Sequence, residues 1–395
     1  MQTIIGVIFE PGDPPAFPSL TFKHINACGK APILSLYTIE TMSTAMEPAS
    51  VAAKAEAIAP APLAPQPLSV RIRLWLRLWM FKLTIRSLLG TLRFFRYKGM
   101  GSLQPTYRKS LGSSGLVHDI WMPDSSAARD KLPLYIDIHG GGWAIGDPFH
   151  DETWCEFLRQ RGIVVISCDY RKTPTYAFPT QTEDLVDVVT AILEDSSLPV
   201  DTSRIAMGGF SAGGNLSLSV AQEKHLQGKL KALLLWYPST DLSAKYRGET
   251  RDAPDGTPDV LAKSGELFTY GYLPHGVDLC DPRLSPIYAD RALLPQKLRF
   301  VGAEYDVLCN EAHETAKLYS EHEKGDEEQG DVAEDKKQGV QSWRKGNVWW
   351  EMVLDAQHGF NYVQKKDPEA EKERKRVTAL AYERACEWLK KEVYA

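Results

Sequence analysis

The sequence predicts an α/β protein with a mostly parallel central sheet flanked by helices. From Leu116 onward, short apolar runs alternate with helical patterns, which is typical of strands joined by crossover helices. These runs are dense in Val, Ile and Leu, as expected of strands that are buried on both faces. With 395 residues, 43% of them hydrophobic, the chain is long enough to bury a large core.

The apolar runs place seven strands in order along the chain. They are "LVHDIWM", "LPLYIDIHG", "GIVVISCDY", "RIAMGGFS", "KALLLWYP", "KLRFVGAEYD" and "VWWEMVLDAQHG". Helical patterns fall at about 150–161, 180–195, 212–226, 310–322 and 368–392.

Two segments interrupt this alternation. Residues 243–290 lie between the fifth and sixth strands and predict a cap insertion above the carboxyl ends of the strands, where such sheets bind ligands. Residues 321–346 are rich in acidic side chains without an apolar period, and they predict a solvated, mobile loop.

The N-terminal part divides into two predicted segments. Residues 1–66 lack sustained periodicity and end in "AIAPAPLAPQP", whose prolines oppose helix and sheet, so a disordered leader is expected. Residues 67–115 are predicted as an amphipathic helical segment rich in Arg, Trp and Leu. Two alternatives remain open for it: a cap helix over a protein cleft, or peripheral membrane contact through residues 67–98.

Charge and cysteine spacing exclude some classes of protein. The formal net charge of -5 and pI near 6.0 give no general attraction to nucleic acid. Six cysteines lie far apart, with no spacing suited to zinc, so reduced thiols and no metal site are expected.

The sequence also bears on localisation. No secretory signal is recognised at the N-terminus, and no apolar stretch reaches the roughly 18 residues of a spanning helix. The prediction is therefore an intracellular protein that is cytoplasmic or peripherally attached to a membrane.

The stretch "GGFSAGGN", Gly208–Asn215, carries the strongest chemical signal. It follows the apolar run "RIAM" and precedes a helical pattern, which is the strand, turn and helix context of a nucleophile elbow. Gly209 and Gly213 flank Ser211 because the strained turn leaves no room for a Cβ. Ser211 is therefore the candidate nucleophile.

A serine nucleophile needs donors for the negative oxygen that forms on its substrate. "HGGGW", which starts at His139, ends an earlier strand with three unshielded peptide groups. The N–H groups of Gly141, Gly142 and Ala212 are expected to face that oxygen. His139 itself is expected to brace the loop.

The serine also needs a general base and a group that orients the base. "DAQHGF" places His358 just past the last predicted strand, and "GAEYDVLCNE" places Asp306 just past the strand before it. Either residue alone would be an ordinary structural His or Asp. These two residues occur in the chain order Ser, Asp, His, together with the elbow and the glycine loop. This combination argues against a chance occurrence of the separate motifs.

Together with "DYRKTPTYAFPTQTEDLVDVV", "DPRLSP" and "HGF", these motifs resemble the hormone-sensitive-lipase-like branch of the α/β-hydrolase fold. The resemblance runs from about Leu116 to the C-terminus and implies a catalytic domain at 116–395. Phe210 stands where this family often carries Asp. The implied roles are Ser211 as nucleophile, His358 as base, Asp306 as orienting carboxylate, and Gly141, Gly142 and Ala212 as the oxyanion hole.

The resemblance implies hydrolysis of short- to medium-chain acyl esters through an acyl-enzyme, with a small-molecule ester as partner and no metal or cofactor. An amidase or formamidase, a thioesterase, or an acetyl-esterase of a biosynthetic pathway would use the same triad. A hydrolase-like ligand receptor is a second alternative. The plant gibberellin receptors resemble this family but have lost the catalytic histidine, whereas His358 is present here. A membrane-associated structural protein is the third.

Overall fold

A computed structural model describes residues 67–99, 103–124, 131–249, 251–254, 256–330, 335 and 337–395. The predicted leader, residues 1–66, lies outside the described residues. In the described part of the chain the cysteines are free thiols, namely Cys155, Cys168, Cys280, Cys309 and Cys386.

A ten-stranded mixed sheet organises the described residues, in the order β1-β2-β4-β3-β5-β6-β7-β10-β9-β8. The central strands β4, β3, β5, β6, β7 and β10 are parallel, and the strands at both ends pair antiparallel. The strands are β1 Tyr107–Ser110, β2 Val117–Trp121, β3 Leu132–Ile138, β4 Val164–Cys168, β5 Val200–Phe210, β6 Ala232–Trp236, β7 Lys297–Ala303, β8 Glu328–Gln329, β9 Val340–Lys345 and β10 Val348–Val353.

The predicted fold class and all seven predicted strands are confirmed, but three strands at the sheet edges were not predicted. The helical prediction for 67–115 is wrong at β1, so the sheet begins before residue 116. The mobile-loop prediction for 321–346 is wrong at β8 and β9. These edge strands are short and largely polar on their exposed side, so their pairing with neighbours decides their conformation rather than an apolar pattern.

Helices cover both faces of the sheet. One face packs against α3, α4 and α6 through residues such as Leu185, Leu216 and Ala312. The other face packs against α2 and α7 through Trp154 and Tyr382. The helices are α1 Leu68–Gly99, α2 Glu152–Arg159, α3 Thr180–Glu194, α4 Ala212–Ala221, α5 Leu261–Tyr272, α6 Cys309–Ser320 and α7 Pro368–Trp388.

The helices α1 and α5 contact one another beside the carboxyl ends of the strands. Leu74, Leu78 and Ile85 of α1 are buried, and Phe81 meets Phe268 of α5 edge-on at 5.9 Å between ring centroids. The predicted cap insertion thus holds α5, and α1 lies against it. None of the helices in the described ranges is both long enough and apolar enough to span a bilayer.

The parallel strands bring three predicted site residues to one edge. Ser211 follows β5, Asp306 follows β7 and His358 follows β10, and these strands lie close together in the sheet order. Because the carboxyl ends of parallel strands meet at the same edge, side chains far apart in sequence lie together there.

Candidate active site

Ser211 sits in a sharp turn between β5 and α4, with φ 57° and ψ -116°. This left-handed φ is uncommon for a residue with a side chain and marks local strain. A Cβ on Gly209 would lie 2.1 Å from the carbonyl oxygen of Ile138, and one on Gly213 would lie 1.9 Å from it. Only glycine on both sides of the turn lets β5 and α4 approach β3 so closely.

The residues predicted as nucleophile, base and orienting acid form one hydrogen-bonded chain. The Oγ of Ser211 lies 2.9 Å from Nε2 of His358, and Nδ1 of His358 lies 2.8 Å from Oδ2 of Asp306. The second oxygen of Asp306 accepts a hydrogen bond of 2.9 Å from the amide of Leu308. All three side chains are buried, and only 6% of Ser211 and 3% of His358 is exposed.

The environment of His358 favours its protonated form. Burial lowers the pKa of the imidazole, but the charge of Asp306, its hydrogen bond and the charge of Asp259 outweigh burial, so the pKa of His358 is raised above 6.5. An imidazole with a raised pKa is a stronger acceptor for the serine proton, provided the pH is high enough to keep it neutral.

The glycine loop predicted as the oxyanion hole lies beside the serine. A Cβ on Gly140 would lie 3.4 Å from the Cβ of Ser211, and Gly141 and Gly142 have φ values of 114° and 57°. Within the described residues, the N–H groups of Gly141, Gly142 and Ala212 have no backbone or side-chain acceptor. Ala212 is the first residue of α4, where amide groups lack partners in the helix.

His139 supports this loop from below. Its Nδ1 lies 2.6 Å from the Gly140 carbonyl oxygen, and its Nε2 lies 3.2 Å from Asp169. The ring stacks on Tyr170 at 4.5 Å. Burial and the Lys172 ammonium lower the pKa of His139 to about 4, so the ring is neutral at neutral pH. These contacts fit a bracing residue.

Aromatic side chains roof the glycine loop. A Cβ on Gly142 would lie 2.2 Å from Cγ of Phe268, so the α5 ring rests directly on this glycine. Next to it, Trp143 and Tyr272 stack at 4.1 Å with nearly parallel rings. The cap helices therefore cover the serine side of the sheet edge, which explains the low exposure of Ser211.

Phe210, the residue that departs from the family pattern, does not reach the site. It is fully buried and stacks on Trp236 at 5.4 Å. The aromatic side chain at this position serves the core beneath the elbow.

Sequence reasoning missed Asp259, which lies in the cap insertion and contacts the acid loop, residues 304–308 between β7 and α6. Its Oδ1 accepts a 2.8 Å hydrogen bond from Leu261 at the start of α5, and its Oδ2 accepts one of 2.8 Å from Val307, next to Asp306. Asp259 is 2% exposed. An Asp just before a helical pattern signals a helix cap, but nothing in the sequence indicates its second bond.

Glu311 is a second buried carboxylate that the motifs did not reveal. It accepts hydrogen bonds from the amides of Thr240 and Asp241 at 2.8 and 3.2 Å, and so joins α6 to the loop after β6. Burial raises the pKa of Glu311 to about 8. The side chain therefore acts as a neutral tie behind the acid loop.

Comparison with known proteins agrees with this architecture. Residues 135–331, about half of the chain, match the model of a family described by the alpha/beta hydrolase fold. The chain is 36% identical over 216 residues to the carboxylesterase NlhH of Mycobacterium tuberculosis, a match covering 51% of this chain and 65% of that protein. It is 31% identical over 205 residues to an ethyl acetate hydrolase of Pseudomonas putida, covering 50% and 62%. The chain thus spans less than two thirds of each of these relatives.

A solved structure extends the likeness in fold. The esterase of Pyrobaculum calidifontis superposes with a TM-score of 0.62 at 23% identity, covering 84% of this chain and 100% of that chain. The sheet, the helices and these matches define a protein with the α/β-hydrolase fold. The chain belongs to the α/β-hydrolase superfamily, in agreement with the resemblance of its motifs to the hormone-sensitive-lipase-like branch.

Proposed function

We propose that this protein hydrolyses small carboxylic esters through an acyl-enzyme, with Ser211 as nucleophile. The observation that carries the proposal is the hydrogen-bonded chain from Ser211 through His358 to Asp306, with distances of 2.9 and 2.8 Å. A serine is activated when a neighbouring base can accept its proton and a third group fixes that base.

In the first half of the proposed reaction, Oγ of Ser211 attacks the ester carbonyl while its proton passes to Nε2 of His358. Asp306 holds the Nδ1–H tautomer and stabilises the imidazolium. The amides of Gly141, Gly142 and Ala212 donate hydrogen bonds to the oxyanion. One such donor contributes about 2.7 to 4 kcal/mol to barrier lowering. The tetrahedral intermediate then collapses, and His358 gives the proton to the departing alkoxide oxygen, which leaves as the alcohol.

In the second half, water takes the place of the alcohol. His358 accepts a proton from water as its oxygen attacks the acyl carbonyl. The same amides bind the second oxyanion. When the bond to Oγ breaks, His358 returns the proton to Ser211 and the carboxylic acid leaves. These steps use only side chains and amides of this chain.

A short or medium acyl group fits the described surroundings best. The ring of Phe268 rests on Gly142, and the stacked pair Trp143 and Tyr272 lies beside it, so apolar groups border the proposed acyl site closely. The relatives named for carboxylic esters, including one named for ethyl acetate, support an ester over an amide or thioester. An amidase or thioesterase remains the alternative because the triad chemistry is shared.

The test is hydrolysis of p-nitrophenyl esters of graded acyl length by the wild type and by Ser211→Ala. We expect the variant to lose about 10⁴- to 10⁶-fold in kcat, because the acyl-enzyme cannot form. Ser217→Ala is the matched control, since its buried hydroxyl only donates to the Gly213 carbonyl within α4.

Unchanged hydrolysis in Ser211→Ala would refute the proposal. Labelling by a fluorophosphonate probe separates the enzyme from a ligand receptor, because only an activated serine reacts. A wild type that resists the probe and turns over no ester would support the receptor. Faster turnover of matched anilides or thioesters would reassign the substrate class.

A further inference from the structure

The outer surface of α1 carries a concentration of exposed apolar side chains. Of the nine large hydrophobic side chains that are exposed among the described residues, six lie on this one helix. Trp75 is 47% exposed and Met80 68%. We call the set the outer stripe: Leu68, Ile72, Trp75, Leu76, Met80 and Leu83. Scattered exposed apolar residues are ordinary, whereas a contiguous set marks an interaction surface.

The outer stripe forms one face of the helix. At 100° per residue its members cover an arc of about 140°. The buried residues Leu74, Leu78 and Ile85 lie on the opposite side and fix the helix to the protein. The helix therefore has two apolar faces, of which the inner one is covered by α5 and neighbouring segments and the outer one is exposed.

Cationic side chains border the outer stripe. By the same helical angles, Arg71 lies at one margin, Arg73 and Arg77 lie at the other, and Arg86 lies near its C-terminal end. Arg77 approaches Glu266 at 4.0 Å, but both side chains are largely exposed, so this pair holds the guanidinium weakly.

The charge of α1 contrasts with that of the chain. The helix Leu68–Gly99 contains eight Lys and Arg residues and no Asp or Glu, whereas the whole chain has a formal charge of -5. The remaining sequence therefore carries a formal charge of -13. Two copies of so basic a helix would repel one another, whereas an anionic surface would attract it.

We propose that α1 is a membrane-surface helix that binds bilayers containing anionic lipid. An apolar stripe bordered by Arg, with a Trp in the stripe, is the composition of a helix that lies in the plane of the lipid headgroups. The stripe would enter the boundary with the acyl chains, and the bordering arginines would meet lipid phosphates.

This docking surface is joined to the proposed active site by direct contacts. Phe81 of α1 meets Phe268, and Phe268 rests on Gly142 of the glycine loop. The hydroxyl of Tyr270 donates a 2.8 Å hydrogen bond to the Arg71 carbonyl oxygen. A bilayer bound at α1 would thus lie beside the roof of the site. This consequence rests on the proposed function, whereas the binding itself does not.

The test is co-sedimentation of the full chain with vesicles of phosphatidylcholine alone or mixed with phosphatidylserine. We expect binding that requires phosphatidylserine and weakens with added salt. Trp75→Ser combined with Leu76→Ser and Leu83→Ser should weaken binding at least about tenfold, because the apolar area entering the lipid is lost. Arg73→Gln with Arg77→Gln should weaken it about fivefold for each charge removed.

Matched controls keep the result interpretable. Tyr107→Ser removes an exposed aromatic group on β1, and Lys375→Gln removes an exposed cation on α7; both should bind as the wild type does. Ser211→Ala should also bind vesicles, which separates this proposal from the esterase assignment. The outer-stripe variant should retain its circular dichroism spectrum and its hydrolysis of a soluble p-nitrophenyl ester.

Four results would overturn the proposal. The first is sedimentation of the wild type to the same extent with and without vesicles. The second is vesicle binding by the correctly folded outer-stripe variant that is as tight as that of the wild type. The third is a dimer in sedimentation velocity that the outer-stripe substitutions dissociate, because a second copy would then cover the helix. The fourth is exposure of the outer stripe only after removal of residues 1–66, which would assign that segment as its occupant.

Discussion

Around the serine, large side chains face inward, whereas the outer face of α1 exposes six large apolar side chains. Every residue of β6, Ala232–Trp236, is buried, and Ser211 is 6% exposed. In α1, Trp75 is 47% exposed and Met80 is 68% exposed. The site depends on packing that sets the distances between Ser211, His358 and Asp306. By contrast, α1 packs against the rest of the protein through its narrow inner face. Substitutions in the two regions should therefore affect different measurements.

Among substitutions in these two regions, the largest effect is expected at the proposed orienting acid. Asp306→Asn should lower kcat for a p-nitrophenyl ester by about 10⁴-fold. The amide would donate to Nδ1 of His358, so the ring would present an N–H to Ser211 instead of an acceptor. Loss of the negative charge also removes the main cause that raises the pKa of His358.

The pH profile provides a second measurement on the same variant. In the wild type, kcat/KM should rise with pH through a value above 6.5, as His358 loses its proton. In Asp306→Asn the midpoint of the residual activity should move to lower pH. Asp355→Asn is the control, because this exposed residue has φ 54°, a conformation that Asn tolerates. A midpoint that stays in place would contradict the assigned role of Asp306.

A smaller loss is expected where the cap meets the glycine loop. Gly142→Ala should lower kcat about 10²- to 10³-fold, because the new methyl group would collide with Phe268 and displace a proposed oxyanion donor. Gly115→Ala is the matched control, since Gly115 has φ 73° but open space around its Cα.

A double variant separates the collision from the backbone strain. Adding Phe268→Ala to Gly142→Ala should restore part of the lost rate, because it removes the ring that the methyl group meets. Full activity in Gly142→Ala alone would show that the loop does not need this close contact with the cap.

The smallest effect is expected at the link between the cap and the acid loop. The Asp259→Asn substitution would place an amide donor opposite one backbone N–H, either that of Leu261 or that of Val307. Loss of this acceptor should lower the free energy of unfolding by about 1 to 3 kcal/mol. We expect kcat/KM to fall about tenfold and the midpoint of the pH profile to fall slightly, since Asp259 also raises the pKa of His358.

The control for Asp259 is Asp290→Asn, which changes a carboxylate that caps the turn before β7. Its kinetics should match those of the wild type. If Asp259→Asn lowers the melting temperature but leaves both kcat/KM and the pH midpoint unchanged, Asp259 has only a structural role and does not position the acid loop.

The sequence predicted the buried strands well because burial on both faces leaves a continuous apolar run, as in "KALLLWYP". It failed at β1 and β9, where "YRKS" and "VQSWRK" have no such run. An edge strand exists because its neighbour offers backbone hydrogen bonds, and that information lies elsewhere in the chain.

The residues of the candidate site also fall into two groups, those that the sequence predicts and those that it does not. Ser211, Asp306 and His358 could be found because each follows a strand in a recognisable motif, and the parallel sheet then brings them together. Asp259 and Phe268 could not, because their contacts depend on how the insertion folds back over the strand ends. The resemblance to a family therefore identifies Ser211, Asp306 and His358. It does not identify Asp259 or Phe268.

The backbone at Ser211 has a consequence for the protein as a whole. A residue with a side chain held at φ 57° costs about 1 to 3 kcal/mol relative to a relaxed conformation. That is a sizeable share of the net stability of a typical folded domain. The packed strands on either side, β3 and β6, must offset this cost, so the protein gives up part of its thermodynamic margin to keep one hydroxyl group aimed at its imidazole partner.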